Sequence, residues 1–248
     1  TGPDTGVGRL GEPTSIAQII RQVMTATTST NALAGAHVVV TAGGTREAVD
    51  PVRVISNRSS GIMGYACATA AVAAGANVTV ISANSSLPPV AGASTVHVAS
   101  HQELADALGG LARQADAVVM AAAVSDYAPD AAAEKMSKTG GALDLRLHEL
   151  PDILADVARG RQGARPVLVG FAAETVDGRE QLIQRASAKR AKKGCDVIVA
   201  NNVSGGAVFG DTDTDLVIID DDGAIDVGPA SKETAATHVI AAVARHLR

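Results

Sequence analysis

A run of apolar residues, Val38-Val39-Val40, breaks into Thr41-Ala42-Gly43-Gly44-Thr45-Arg46-Glu47. It continues through Asp50-Pro51-Val52-Arg53-Val54-Ile55-Ser56-Asn57-Arg58-Ser59-Ser60-Gly61 to Met63-Gly64. A strand that ends in a Gly-rich loop and re-enters a helix presents backbone N–H groups to phosphate oxygens. Gly43, Gly44, Ser59, Ser60 and Gly61 are therefore candidate phosphate contacts. The standard nucleotide motifs do not fit. A P-loop ends in Gly-Lys, and no such pair occurs in the chain. A dinucleotide fingerprint keeps its glycines within about six residues, whereas a long polar insert separates Gly44 from Gly61. The second apolar run, Val78-Thr79-Val80-Ile81, ends in Ser82-Ala83-Asn84 rather than in the acidic residue that would hold a ribose. A Gly pair alone could be a plain turn; the charged insert favours a nucleotide.

Such a loop needs a frame. Apolar, β-branched runs at His37 to Thr41, Asn77 to Ile81, Thr95 to Val98, Ala117 to Ala121, Pro166 to Phe171 and Asp196 to Ala200 read as strands, most of them buried on both faces. Helices fit at Gly61 to Ala74, His101 to Arg113, Asp152 to Ala158 and Gly178 to Lys193, with Ser100 and Glu103 as a capping box for the second. Strands and helices in this alternation build an α/β, doubly wound, Rossmann-like parallel sheet. A C-terminal β-hairpin, Asp215 to Asp220 and Ala224 to Val227, precedes a closing helix from Lys232 to Leu247.

Ligands of such sheets lie beyond the carboxyl ends of the strands. The loops expected around one crevice are the Gly-rich loop, Ala121-Ala122-Ala123-Val124-Ser125-Asp126-Tyr127, Phe171-Ala172-Ala173-Glu174-Thr175 and Asn201-Asn202. The segment from Glu134-Lys135-Met136-Ser137-Lys138 to Leu143-Asp144-Leu145-Arg146-Leu147 is too long for a simple connection. Its period-two alternation predicts an inserted edge hairpin, a flap that pairs with a second subunit or covers the site, with Lys135 and Lys138 turned to phosphate.

The chain has 248 residues and a formal net charge of −5, so it can bury a sizeable core but gives a nucleic-acid surface no electrostatic support. No apolar run approaches the roughly 18 residues of a membrane span, and no signal core is visible, which predicts a cytosolic protein. Cys67 and Cys195 lie far apart without CxxC spacing and read as small apolar fillers; the six histidines read as structural or exposed rather than as ligands. Residues 1–30 read as a linker with a short helix, Ile16 to Met24, left from a truncated N-terminal partner domain. Residues 31–248 are then the functional domain.

Six separated motifs in order, from the Gly-rich loop and Asp50 to Asn57 through Ala122 to Tyr127, Glu134-Lys135, Gly170 to Thr175 and Asn201, resemble phosphopantothenate-cysteine ligase of the bacterial CTP-dependent type. The resemblance runs from about His37 to the C-terminus. It implies a ligase of coenzyme A biosynthesis that uses CTP with magnesium: the phosphopantothenate carboxylate attacks the α-phosphorus, pyrophosphate leaves, and the cysteine amine displaces CMP from the acyl-cytidylate. It also implies an N-terminal phosphopantothenoylcysteine decarboxylase half, to which any FMN would belong, and a homodimer. By the same resemblance Asn57 and Lys135 are the catalytic residues. Met120, Ala121, Ala122, Asp126, Pro151, Asp152, Ile153, Leu154, Phe171, Lys189 and Lys193 are the nucleotide contacts, and no metal ligand is named.

The sequence departs from the family pattern at Ser137, which interrupts a basic stretch and leaves Lys138 as the second cation, and at Asn202, where relatives often carry Asp. Asp211, Asp213 and Asp215 resemble a calcium loop in spacing but lack its Gly and distal Glu, and read as a polar turn. Two alternatives stay open. A short-chain NAD(P)-dependent oxidoreductase would place Lys four residues after Tyr127, where Ala131 stands; a nonenzymatic nucleotide-sensing module would share the cleft without the chemistry.

Overall fold

The computed structural model describes residues 31–138, 140–204 and 213–248. The expected N-terminal linker and helix lie outside these residues. Six strands are parallel: β1 (His37–Gly43), β4 (Asn77–Ala83), β5 (Ala93–Val98), β6 (Ala117–Met120), β9 (Val167–Glu174) and β10 (Val197–Asn202). They stand in the order β5-β4-β1-β6-β9-β10, extended by the antiparallel strands β11 (Asp213–Asp220) and β12 (Gly223–Ser231). The chain walks outward from β1, returns to lay β6 beside it and then walks the other way. The crevice outside the carboxyl ends of β1 and β6 is therefore the topological switch point.

Strand alternation divides the core into two layers. Val38, Val40, Val78, Val80 and Val119 face α1 (Ile62–Ala73) and α5 (Lys232–His246). Val39, Ile81, Val118, Leu168 and Ile198 face α2 (His101–Leu111), α3 (Ile153–Gly160) and α4 (Arg179–Lys193). With only two Phe, two Tyr and no Trp, the first layer closes by thin packing, Ala66, Ala70 and Ala71 of α1 meeting the sheet and α5. Ser100 caps α2 through the Glu103 N–H at 3.3 Å, while the Glu103 carboxylate reaches back to the Ala99 N–H at 2.7 Å, one residue earlier than a capping box requires. The Asp152 and Ser231 side chains cap α3 and α5.

The insert after β1 is folded, which its sequence did not announce: β2 (Arg46–Ala48) and β3 (Val54–Ser56) form a small antiparallel sheet. The flap is also smaller than its alternation suggested. Only Leu147–Glu149, β8, pairs with Tyr127–Pro129, β7, and residues 143–146 carry no strand. Asp213 and Asp215 belong to β11 rather than to a turn, Asp215 accepting from Arg179 at 2.8 Å; Asp211 lies outside the described residues. Both cysteines are buried thiols, and burial pushes Cys67 up to about 12 and Cys195 upward, so neither is a ready nucleophile.

Candidate active site

A cleft of about 550 Å³ opens at the switch point, within the range of small-molecule sites. Its floor is stitched by the loops after β1 and β6. The Ala123 N–H donates to the Gly43 carbonyl at 2.8 Å, and Thr45 N–H donates to the Ala123 carbonyl at 3.2 Å. The buried Thr45 hydroxyl accepts from Ser125 N–H at 2.9 Å and donates to the Ser125 hydroxyl at 3.1 Å. These bonds fix the segment from Met120 to Asp126 along one wall.

The opposite wall is the start of α1. Ser60 to Gly64 line the cleft, and Gly61, with φ of +81°, caps the helix without a side chain. Ser59 and Ser60 accept from Gly61 N–H at 3.3 Å and Ile62 N–H at 3.5 Å. The N-terminal amides of α1 therefore border the cavity and carry the positive end of the helix dipole. A Cβ on Gly64 would stand 2.6 Å from Ala42 Cβ, so its absence lets the helix lie directly on β1.

Asn57 follows β3 at the rim and donates from Nδ2 to the Val124 carbonyl at 2.9 Å. That bond ties the insert to the wall after β6 and leaves the second amide hydrogen and the carbonyl oxygen for a ligand. On the β9 and β10 side, Phe171, Ala172, Asn201, Lys189 and Lys193 complete the lining with Pro151, Asp152 and Leu154. Both lysines already have partners. Lys193 Nζ lies 2.5 Å from Asp152 Oδ2, and Lys189 Nζ lies 2.5 Å from Oε1 of the buried Glu174, at angles short of a hydrogen bond. Arg185 approaches the other Glu174 oxygen at 3.7 Å.

Burial opposes the charge of Asp152, but the Lys193 ammonium and the Ala155 and Leu154 amides outweigh it and hold the carboxyl below its ordinary value. A carboxyl depressed on folding stabilises the protein above its unfolded pKa, and that contribution is lost as pH falls through its folded value. Asp152→Asn keeps the cap and removes the charge. The variant should melt below wild type at pH 7, and the gap should narrow below about pH 4, as thermal melts across an acid series will read.

Fourteen of the expected residues line the cleft: Asn57, Ser59, Ser60, Gly61, Met120, Ala121, Ala122, Asp126, Pro151, Asp152, Leu154, Phe171, Lys189 and Lys193. Five do not. Gly44 N–H is spent on the Ala83 carbonyl at 2.9 Å, and a Cβ on Gly43 would come within 2.0 Å of that same oxygen. This pair permits close approach of β1 and β4, and neither glycine lines the cleft. Ile153 is buried in the layer beneath α3. Lys135 and Lys138 are exposed on the flap, away from the cleft of this chain.

The reason lies in two residues to which the sequence reading gave no role. Buried Asp50 accepts from the Val52 and Arg53 amides at 2.8 Å each and from Met136 N–H at 3.2 Å, and pairs with the Arg53 guanidinium. Arg53 in turn donates to the Met136 carbonyl at 3.2 Å. Burial works against the Asp50 charge, yet these amides and Arg53 hold its carboxyl below the ordinary range. The clasp fixes the flap one residue from Lys135. Asp50→Ala should free it and raise the rate of tryptic cleavage after Lys135 by more than about fivefold, since proteolysis tracks local opening; an unchanged rate would show that the clasp does not restrain the flap.

The sequence reading also missed Arg58, Thr214, Leu216 and Lys232 in the lining. Lys232 opens α5 far along the chain, and no local pattern signals its place. Arg58, Lys189, Lys193 and Lys232 set four cations against the carboxylates of Asp126 and Asp152, in a chain of net charge −5. The cleft is an anion-seeking patch on an acidic protein.

Strand order, switch-point cleft and helix N-terminus together define a doubly wound α/β protein with a ligand-sized cleft at the carboxyl ends of its parallel strands. The chain belongs to the DNA/pantothenate metabolism flavoprotein C-terminal domain family, whose profile matches residues 33–247. It is 45% identical over 219 residues to the "Coenzyme A biosynthesis bifunctional protein CoaBC" of Mycobacterium tuberculosis, covering 84% of this chain and 52% of that protein. The chain thus spans about half the length of the curated relatives it matches. Among solved structures, the C-terminal domain of a coenzyme A biosynthesis bifunctional protein CoaBC superposes with a TM-score of 0.74 at 32% identity, over 88% of this chain and 98% of that one. A Cab2 variant in complex with phosphopantothenate-cysteine shares the fold, with a TM-score of 0.71 at 17% identity over 95% and 94% of the two chains.

Proposed function

We propose that this chain is the ligase half of a bifunctional coenzyme A biosynthesis enzyme, joining phosphopantothenate to cysteine at the expense of CTP. The observation that carries the reading is the cleft itself: four cations and the N-terminal amides of α1 converge at the switch point, with the Asn57 amide fixed at the rim. The names of the relatives support the same assignment, and the Cab2 neighbour, which shares the fold, is a complex with phosphopantothenate-cysteine.

In this reading the lysines and the α1 amides bind the triphosphate, and the phosphopantothenate carboxylate attacks its α-phosphorus. The P–O bond to pyrophosphate breaks, and an acyl-cytidylate forms. The cysteine amine then adds to the acyl carbon, CMP leaves with the bonding pair, and the amine loses a proton. Asn57 donates to the acyl oxygen as charge builds there, which a carboxylate in its place could not do. Among the described residues no three His, Cys, Asp or Glu stand together as a metal cage; in this reading magnesium accompanies the triphosphate as part of the substrate complex.

The flap and the insert suggest a second copy of the chain. Val52, Val54, Tyr127, Leu143, Leu145 and Leu147 are exposed large apolar residues of these two neighbouring segments, Val52 at 65%, and β2 packs on β7. Such an apolar patch favours a homodimer, in which Lys135 serves a cleft only when the flap is docked. An FMN-dependent decarboxylase half would precede this chain and consume its product. No helix among the described residues is long and apolar enough to cross a membrane.

The decisive assay supplies magnesium, phosphopantothenate, cysteine and either CTP or ATP, and follows pyrophosphate and CMP or AMP. Cysteine-dependent CMP release is expected; its absence would sink the ligase reading. Sedimentation of an active monomer would overturn the dimer.

A further inference from the structure

Behind the cleft, on the other side of Pro151, lies a second cavity of about 620 Å³. Pro151 lines both. The wall between them is held by His101, the first residue of α2, which is 5% exposed. Its backbone N–H donates to Oε1 of buried Glu47 in β2 at 3.0 Å. Its ring Nε2 lies 2.8 Å from the Pro151 carbonyl, an acceptor, so Nε2 carries the proton. Residue 101 therefore links two segments, its backbone amide holding the hairpin that leads to Asn57 and its ring holding the segment that caps α3 and pairs with Lys193.

A histidine with neither a nucleophile nor a metal nearby looks like core filling, but the groups at its two ends belong to opposite sides of the active cleft. We propose that His101 is a positioning residue for the nucleotide wall: through the Pro151 carbonyl it sets Asp152 and Lys193 at a fixed distance from the Asn57-bearing insert. The inference rests on the ligase reading for its consequence in catalysis, though not for its geometry. Without the ring, the Pro151 carbonyl loses its partner and the first turn of α3 is free to shift, carrying the ion pair that faces the phosphates. Asn57 keeps its own anchor on Val124, so the cysteine-dependent step is spared once nucleotide saturates.

The test compares His101→Leu, which keeps bulk and removes the donor, with His101→Gln, whose amide restores a donor at similar reach. His101→Leu should raise the KM for CTP about five- to tenfold with kcat within about twofold of wild type, and His101→Gln should return the KM to within about twofold. Glu47→Ala, which removes the acceptor of the residue 101 backbone amide, should raise the same KM if His101→Leu folds poorly. Hydrogen exchange gives an arm that needs no nucleotide: the amides of Ile153 to Ala155 should exchange faster in His101→Leu, with α5 unchanged. Faster exchange without a KM change in an enzyme that turns over CTP would reduce His101 to a structural residue and overturn the proposal, as would unchanged exchange or a Gln variant as impaired as Leu. If wild type itself releases no CMP, the ligase reading is what fails, and the exchange arm alone decides the strut.

Discussion

Asn57→Ala is expected to slow cysteine-dependent amide formation by about 10²- to 10³-fold, the usual cost of removing one oxyanion donor, while pyrophosphate release stays within a few-fold of wild type. The asymmetry follows from when charge appears. In the proposed reaction, attack of the carboxylate on phosphorus places developing charge on phosphate oxygens, for which the lysines and α1 amides lining the cleft are the candidate partners. Attack of the amine on the acyl carbon places it on the acyl oxygen, near the rim that Asn57 occupies. The Val124 bond at 2.9 Å holds the side chain in one orientation, so no reorganisation is needed when the charge arrives. Rapid quench of a single turnover should show the acyl-cytidylate accumulating in the variant. Asn57→Asp should be worse still, because a carboxylate has no donor for the acyl oxygen and faces the Val124 carbonyl. Equal slowing of both half-reactions would make Asn57 a binding residue.

Gly43→Ala is the second large effect, and it should appear in stability before it appears in activity. The new Cβ would stand 2.0 Å from the Ala83 carbonyl oxygen on a backbone with φ of +86°. The obstacle is main chain in the next strand, so no side-chain rotation relieves it, and β1 must part from β4 at the mouth of the cleft. A loss above about 4 kcal/mol is expected, enough to lower Tm by about 10 °C or more in a chain of this size. Gly163→Ala isolates the conformational part: φ is +75° and nothing lies within 4 Å, so about 1–2 kcal/mol of strain is all that remains. Calorimetry of the pair separates close approach from phosphate binding. A Gly43 variant that melts like the Gly163 variant yet binds nucleotide poorly would restore the cradle.

That contrast shows where the sequence was readable. The parallel strands and their helices were legible because fully buried strands must be continuous apolar runs, and Val38 to Val40 or Val197 to Ala200 leave no other reading. Strand order then directs attention to the loops after β1 and β6. What stayed hidden depends on partners distant in sequence. The job of Gly43 is set by Ala83, forty residues on. The β2–β3 sheet has three residues per strand and closes through the Asp50 carboxylate rather than through apolar alternation. Lys232 reaches the cleft from the last helix. The flap misled because alternation at Leu143 to Leu147 marks side chains that are all exposed in one copy of the chain.

The pairing of Lys189 with Glu174 and of Lys193 with Asp152 gives the cleft an ion-exchange character. A phosphate that engages these ammonium groups replaces fixed carboxylates rather than mobile counterions from solution, so few salt ions are released when it docks. Affinity for the nucleotide is then less sensitive to ionic strength than a count of basic residues in the wall implies. In the proposed reaction the two displaced acids, left facing a polyanion, would oppose its retention and favour product release.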